Sequence, residues 1–589
     1  MGIRKSLLLP LLVFIIATVI FCLPLFGAFS YLGQMDWDQF TFWNAASRIT
    51  LLRYHQFPLW NPYVNGGNVL LAHPHSSFLS PLYILVLLFG SVAGLKLQVM
   101  LYLFFGLIGM YLLSVYKKLS RPASYLTSFV FMLCSVYVLH MTEGHASWMP
   151  MALIPWFFLL FLKSIEQRRY IPLSVIVLGL IAFAGSVDVF AILVFFVFIY
   201  ALFSSIQERR FLPLGLFLLI CAATFLVCAV KLLPMLEFLR QSSRTTLESS
   251  GMSFPVLCKI LLSRSQDYYD MLNKGVNIAL GISGEWHEYG AYIGILPLAL
   301  GCIGAVRRLK ADWPLILTGA ICLLIVLSGA LPFNLWNMLS KAPVYNALSC
   351  PSRFIVGFIF SFALLAGFGF DYLRQSLKKL TPGPRGIFCI NTLFLLMVLF
   401  VFFDLFSVNS RIFKHAFVIP PAEVTEREDF QQRYGRVNLY GSDISRSSVY
   451  PIMLSNSGIL DGYEVLFIKR GGVEVASSRR YKGEAYLADD SGIVTIDYFS
   501  PNKIVVTTQA KKDSMLVLNQ NYYSGWWVVK DGRCVRAEAY DGLIATKVSA
   551  GKTRATFFFL PISFLLGAAI SISTITAIAV YAYRARTPR

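Results

Sequence analysis

Leu7-Leu8-Leu9-Pro10-Leu11-Leu12-Val13-Phe14-Ile15-Ile16-Ala17 opens a run in which no charged residue appears until Met35-Asp36-Trp37-Asp38-Gln39-Phe40. A run of that length is long enough to cross a bilayer, and carboxylates directly beside a bilayer are costly and tend to be kept for chemistry or ion binding. The reading of this one stretch, a spanning helix followed by two acids, sets the reading of the chain. Arg4-Lys5 ahead of it has the look of a signal peptide. The apolar run is too long for one and no small-x-small cleavage site follows, so an uncleaved first helix is expected.

Working outward, the 589 residues are 57% hydrophobic and only 14% charged, against about 25% charged for soluble domains. Twelve apolar runs are bracketed at 7–29, 95–116, 123–140, 147–163, 171–185, 188–204, 212–231, 289–306, 313–330, 353–373, 386–406 and 556–583. A shorter run, 81–90, is expected in the interface or as a re-entrant piece. The net charge of +20 does not indicate nucleic acid. It is spread over small clusters between the runs (Lys117/Lys118/Arg121, Arg307/Arg308/Lys310, Arg374/Lys378/Lys379), while the loops 140–146 and 185–187 carry no Lys or Arg. That alternation places both termini in the cytoplasm of a cell-membrane protein. The ten cysteines show no paired spacing; seven sit inside apolar runs as small hydrophobes.

Three segments then face outward: 30–80, 232–288 and 407–555. The expected organisation is a transmembrane domain over 1–406, a β-rich extracytoplasmic domain over 407–555 and a final helix with its tail over 556–589. Strands are predicted at 493–498, 503–509, 514–519, 526–530, 533–539, 543–548 and 553–559, divided by Ser500-Pro501-Asn502, Asp531-Gly532, Asp541-Gly542 and Ala550-Gly551. Short strands at this spacing suggest a sandwich.

The loop 30–80 is dense in polar and aromatic groups. Asp36 and Asp38 would point to one side if extended and diverge on a helix, so which of them acts stays open; Asp36 stands closer to the membrane plane. Arg48 and Arg53, on a helix expected over 39–54, read as headgroup contacts. His73 and His75, or His140, Glu143 and His145, could join the aspartates around a cation. Asp/Glu/His ligands suit Mn²⁺ or Zn²⁺ better than Mg²⁺, and the spacing matches no strong metal signature. Glu285 and Glu288 read as cleft acids, Trp286 as part of an interfacial aromatic belt. Tyr522, Tyr523, Trp526 and Trp527 read first as sandwich core, with a glycan platform as the alternative.

The order of several motifs carries a resemblance. Phe57-Pro58-Leu59-Trp60-Asn61-Pro62-Tyr63-Val64-Asn65-Gly66-Gly67, Glu288-Tyr289-Gly290-Ala291-Tyr292-Ile293-Gly294, Ser349-Cys350-Pro351-Ser352-Arg353-Phe354, Asn456-Ser457-Gly458-Ile459-Leu460-Asp461-Gly462-Tyr463-Glu464 and Asn521-Tyr522-Tyr523-Ser524-Gly525-Trp526 follow the acidic motif. Together they resemble the bacterial YfhO-like membrane proteins of the GT-C glycosyltransferase superfamily. The resemblance implies a mainly α polytopic GT-C-like fold and transfer of a sugar from a polyprenyl-phosphate donor to a cell-envelope acceptor on the outer face. Asp36 or Asp38 would take the acceptor proton. Arg353 would meet the departing phosphate, although a cation at a helix end also snorkels to the interface. Glu285, Glu288, His73, His75, His145 and Tyr292 would line the substrate. The resemblance leaves a divalent ion, Mn²⁺ or Mg²⁺, as an option, with Asp36, Asp38 and His145 as its ligands. A flippase of lipid-linked sugars and a non-catalytic assembly protein are the competing readings; the scarcity of mid-membrane charge disfavours the first.

Overall fold

The computed structural model describes residues 2–27, 29–243, 251–266, 286–342, 344–348, 350–421, 423–435, 448–462, 464 and 466–584. Eight of its helices are long and apolar enough to cross a membrane, nine if the bent pair Leu212–Val227 and Ala229–Gln241 counts as one span. The chain is a multi-pass membrane protein. The count is lower than twelve for a physical reason. The runs at 171–185, 289–306 and 313–330 do form helices, Ile171–Phe183, Ile295–Arg308 and Trp313–Val326. At 1.5 Å per residue each is about 20 Å long, short of a ~30 Å hydrocarbon core.

The basic clusters gather at one end of the bundle. Lys117 Nζ donates to Asp312 Oδ1 (2.8 Å) and Gln207 Nε2 to the Ala311 carbonyl (3.1 Å), while Ser120 N–H donates to Asp371 Oδ2 (2.7 Å). The loop that follows the first helix (Gly2–Gly27) and the β-rich segment meet at the opposite end, through the bridges Leu32–Ile419 and Val64–Ile459. Helix Pro384–Phe413 runs seven residues beyond the expected 406 boundary.

Nine strands build the β-rich segment: β1 Ala485–Leu487, β2 Gly492–Ser500, β3 Lys503–Ala510, β4 Ser514–Asn521, β5 Trp526–Lys530, β6 Arg533–Arg536, β7 Glu538–Tyr540, β8 Leu543–Val548 and β9 Gly551–Phe559. They form a four-stranded sheet, β7-β8-β4-β1, and a five-stranded sheet, β6-β5-β9-β3-β2. The run 533–539, expected as one strand, breaks at Ala537: β6 pairs with β5 in one sheet and β7 with β8 in the other. Asp531-Gly532 and Asp541-Gly542 take positive φ at both positions, the geometry that lets two-residue hairpin turns match strand twist. β9 continues to Phe559, so the final helix begins only at Ile562.

The Phe57–Gly67 motif serves as a joint between loop and sheets. Trp60 Nε1 donates to Gln520 Oε1 (2.8 Å), Trp60 N–H to Asn502 Oδ1 (2.9 Å), and Asn521 Nδ2 to the carbonyls of Asn65 (2.7 Å) and Gly67 (3.1 Å). A second joint sits where the bent pair turns by 82°. There the buried Lys231 donates to the carbonyls of Ser76 (2.6 Å) and Ala182 (3.0 Å), and Ser571 Oγ of the final helix accepts the Val230 N–H (2.9 Å). The first joint ties the loop 57–77 to the sheets and the second ties it to the bundle.

Candidate active site

Asp36 is the residue at which helix Trp37–Leu52 begins, and its side chain caps nothing within that helix. Its backbone N–H donates to the Glu143 carbonyl (3.0 Å), at the end of helix Ser135–Glu143. The approach is close because residue 144 is glycine. Gly144 has φ +97°, and a Cβ there would fall 2.1 Å from the Trp37 nitrogen. Gly144→Ala should therefore cost at least the ~1–2 kcal/mol of a left-handed backbone and push Asp36 away from its partner. A thermal unfolding curve in detergent reads the first effect, and an unchanged midpoint would refute it.

That partner is His145. Its Nε2 lies 3.2 Å from Asp36 Oδ2, and its Nδ1 lies 3.0 Å from Nδ1 of His140. The His140 ring stacks on Trp148 at 3.8 Å and 7°. The His287 ring stands perpendicular to that of His145, with centroids 4.7 Å apart; its two nitrogens lie 3.6 Å from Glu143 Oε2 and 3.5 Å from Glu288 Oε1. Arg353 closes the set: Nε donates to Glu288 Oε2 (2.7 Å), Nη2 to Glu288 Oε1, and Nη1 to Asp188 Oδ1 (2.6 Å). Burial, the largest influence on Glu288, would raise its pKa, but the guanidinium and His287 outweigh it and hold the carboxyl well below the usual carboxylate range.

His145 feels opposite pulls. Burial disfavours its charged form, and the hydrogen bond and charge of Asp36 overcome this, so its pKa rises above the ordinary value of 6.5. The sign follows: a raised folded-state pKa gives stability that is fully present below about 6.5 and is lost as pH climbs through the raised value. The gap in unfolding midpoint between the wild type and His145→Gln should thus be widest in mild acid and narrow toward alkaline pH. A gap that widens with pH would contradict the pairing.

The two aspartates diverge, as a helix requires. Asp38 is buried and faces away from His145; its oxygens accept the N–H groups of Val449 (2.7 Å) and Tyr450 (3.1 Å), where the short helix Val449–Leu454 begins. Burial raises its pKa to about 7 against the lowering effect of those two bonds. Asp38 is therefore separated from the ligand set expected of it. His73 meets a different acid, while His75 comes close enough to Asp188 for their charges to interact. His73 Nε2 lies 3.1 Å from Glu464 Oε1, a carboxylate that also accepts from Gln39 Nε2 (3.2 Å) and Trp43 Nε1 (3.1 Å). His75 stacks on Trp43 and sets Nδ1 3.2 Å from the Gly185 carbonyl. Gly185, with φ +72°, admits that loop: a Cβ would come within 2.5 Å of the His75 carbonyl oxygen. Tyr292 donates to Asp404 Oδ2 (2.7 Å), which also pairs with Arg264. Glu285 lies outside the described residues.

The structure therefore brings Asp36, His145, Glu288 and Arg353 into one polar network and adds His140, Glu143, His287 and Asp188. Asp188 follows the break at Gly185-Ser186-Val187, which is the one sequence signal that pointed to it. For a metal, ligand atoms of His145, His287 and Glu288 lie within 4.8 Å of one another. Both Glu288 oxygens already accept from Arg353, so a cation entering there would share those oxygens with a guanidinium and meet its charge at close range.

No family model matches the chain, and no curated protein matches it. Among solved structures it is similar to the arabinofuranosyltransferase AftD from mycobacteria, determined by cryo-electron microscopy, at 16% identity and a TM-score of 0.44. The match covers 68% of this chain and 27% of that one, so this chain spans about a quarter of that protein's length.

Proposed function

We propose that this protein is an integral-membrane glycosyltransferase of the GT-C type that moves a sugar from a polyprenyl-phosphate donor to a cell-envelope acceptor, with Asp36 as the base. The observation that carries the reading is the Asp36–His145 pair (3.2 Å), in a network of four acids, three histidines and Arg353 at the β-side end of an apolar bundle. Asp36 is the acid of that network with the most exposed side chain, 29%. A base must reach the hydroxyl proton it takes. His145 and its stacked neighbour His140 hold the carboxylate in place and offer a route for the proton. Arg353 acts as a positioning residue: its bonds to Glu288 and Asp188 hold these two acids in place, and two carboxylates against one guanidinium leave it no net positive charge to offer a leaving phosphate. The YfhO-like order of the motifs supports the donor and acceptor classes.

Reconstitution with polyprenyl-phosphate sugars and a panel of envelope acceptors tests the assignment. Sugar should leave the lipid with the wild type and far more slowly with Asp36→Asn. Equal rates would remove Asp36 from the chemistry. Lipid-linked sugar crossing the bilayer untransferred would put a flippase in place of the transferase, and neither activity would favour an assembly role.

A further inference from the structure

The outward face of the five-stranded sheet bears one row unlike the others. Register places Arg536 opposite Trp527, Trp527 opposite Phe558 and Phe558 opposite Lys503, so the four side chains stand in line on one face. The two cations are exposed and the two rings half-buried. The Arg536 guanidinium lies 5.4 Å from the Trp527 ring, and Lys503 Nζ 5.9 Å from that of Tyr498. Trp526, Phe557 and Phe559, pointing the other way, are sealed in the core.

The row is also the part of the sheet that the chain sets beside the membrane. Three residues separate Phe558 from Ile562, where the final helix begins, so the two are at most about 13 Å of extended chain apart. Trp527 Nε1 donates to the Leu560 carbonyl (3.0 Å), which draws the indole toward that linker. Only 11% of the spanning window of the final helix is buried, with Gly567 and Ser571 its buried residues. Lipid therefore meets most of this helix along its length, outside the stripe of Gly567 and Ser571. Amphipathic rings flanked by long cations are the groups that favour a membrane–water interface.

We infer that this rim rests in the headgroup layer, with Trp527 and Phe558 among the glycerol and upper acyl groups and Arg536 and Lys503 on the phosphates of anionic phospholipids. The contact would set the height of the sheets above the bilayer, and it does not depend on the activity proposed above.

Full-length protein in phosphatidylcholine–phosphatidylglycerol vesicles, brominated high on the acyl chains, provides the test. The emission lost in Trp527→Phe defines the Trp527 component, and bromine should quench it strongly; the component defined by Trp526→Phe should be quenched far less. Exchanging Arg536 or Lys503 for glutamine should lower the ratio of quenched to unquenched Trp527 about fivefold for each cation removed. Equal quenching in pure phosphatidylcholine would overturn the anionic-headgroup assignment, and an unquenched Trp527 would overturn the contact itself. An unquenched Trp527 that responds only to a soluble polyanionic glycan would assign the face to a glycan instead.

Discussion

Replacing Arg353 with methionine should cost the fold about 3–5 kcal/mol. The guanidinium side chain is 13% exposed and holds Glu288 by two bonds and Asp188 by a third. Both carboxylates are slightly more buried, 10% and 11% exposed. Methionine keeps much of the side-chain volume and removes the charge, so two acids are left facing each other in a poorly solvated site. Coulombic repulsion and unpaid desolvation then act together, and the loss of a buried partner is among the larger single-residue effects. Thermal unfolding in detergent should show it as a large drop in midpoint. Adding Glu288→Gln and Asp188→Asn should restore most of the loss, because neutral amides no longer need the cation. An unchanged midpoint in the single variant would mean that the three-way contact is not the anchor described here. Arg353→Lys separates charge from geometry, since an ammonium cannot reproduce the fork that grips Glu288.

Asp36→Asn should slow transfer by about 10²–10⁴, the range for loss of a positioned base, and cost no more than about 1 kcal/mol of stability, the range for a partly exposed ion pair, chiefly in mild acid where His145 is charged. Asp38→Ala should do the reverse. It strips two acceptors from the start of Val449–Leu454, leaving the N–H groups of Val449 and Tyr450 unsatisfied, which should cost about 1–2 kcal/mol. Its effect on turnover per folded molecule should be small. The pair is informative because the two acids are one residue apart and differ in sequence only by neighbours. If Asp38→Ala abolishes transfer while Asp36→Asn retains it, the roles assigned to them are exchanged and the site lies elsewhere.

Much of the frame was legible from pattern alone. Apolar length identified the spans, the Lys/Arg clusters identified one end of the bundle, and Asp531-Gly532 and Asp541-Gly542 marked hairpins that the structure contains. These features are local: each depends on residues within a few positions of one another. The count of full spans was less legible because hydropathy cannot distinguish a 14-residue helix such as Trp313–Val326 from one that crosses. The Phe57–Gly67 motif read as chemistry because it is rich in polar and aromatic groups; the bonds of Trp60 and Asn65 with Gln520 and Asn521 make it a joint.

By itself, the sequence determined that this is a polytopic membrane protein with a β-rich segment before its last helix and two acids beside the first. Hydrophobic length, charge distribution and turn chemistry are properties of short stretches, so no fold is needed to read them. Only the tertiary structure decided which acid faces the histidines. Asp36 and Asp38 share a neighbourhood in sequence, but the first turn of helix Trp37–Leu52 sends their side chains apart, one to His145 and the other to Val449 and Tyr450. Those partners lie more than 100 and more than 400 residues away, and contacts at that range are fixed by packing.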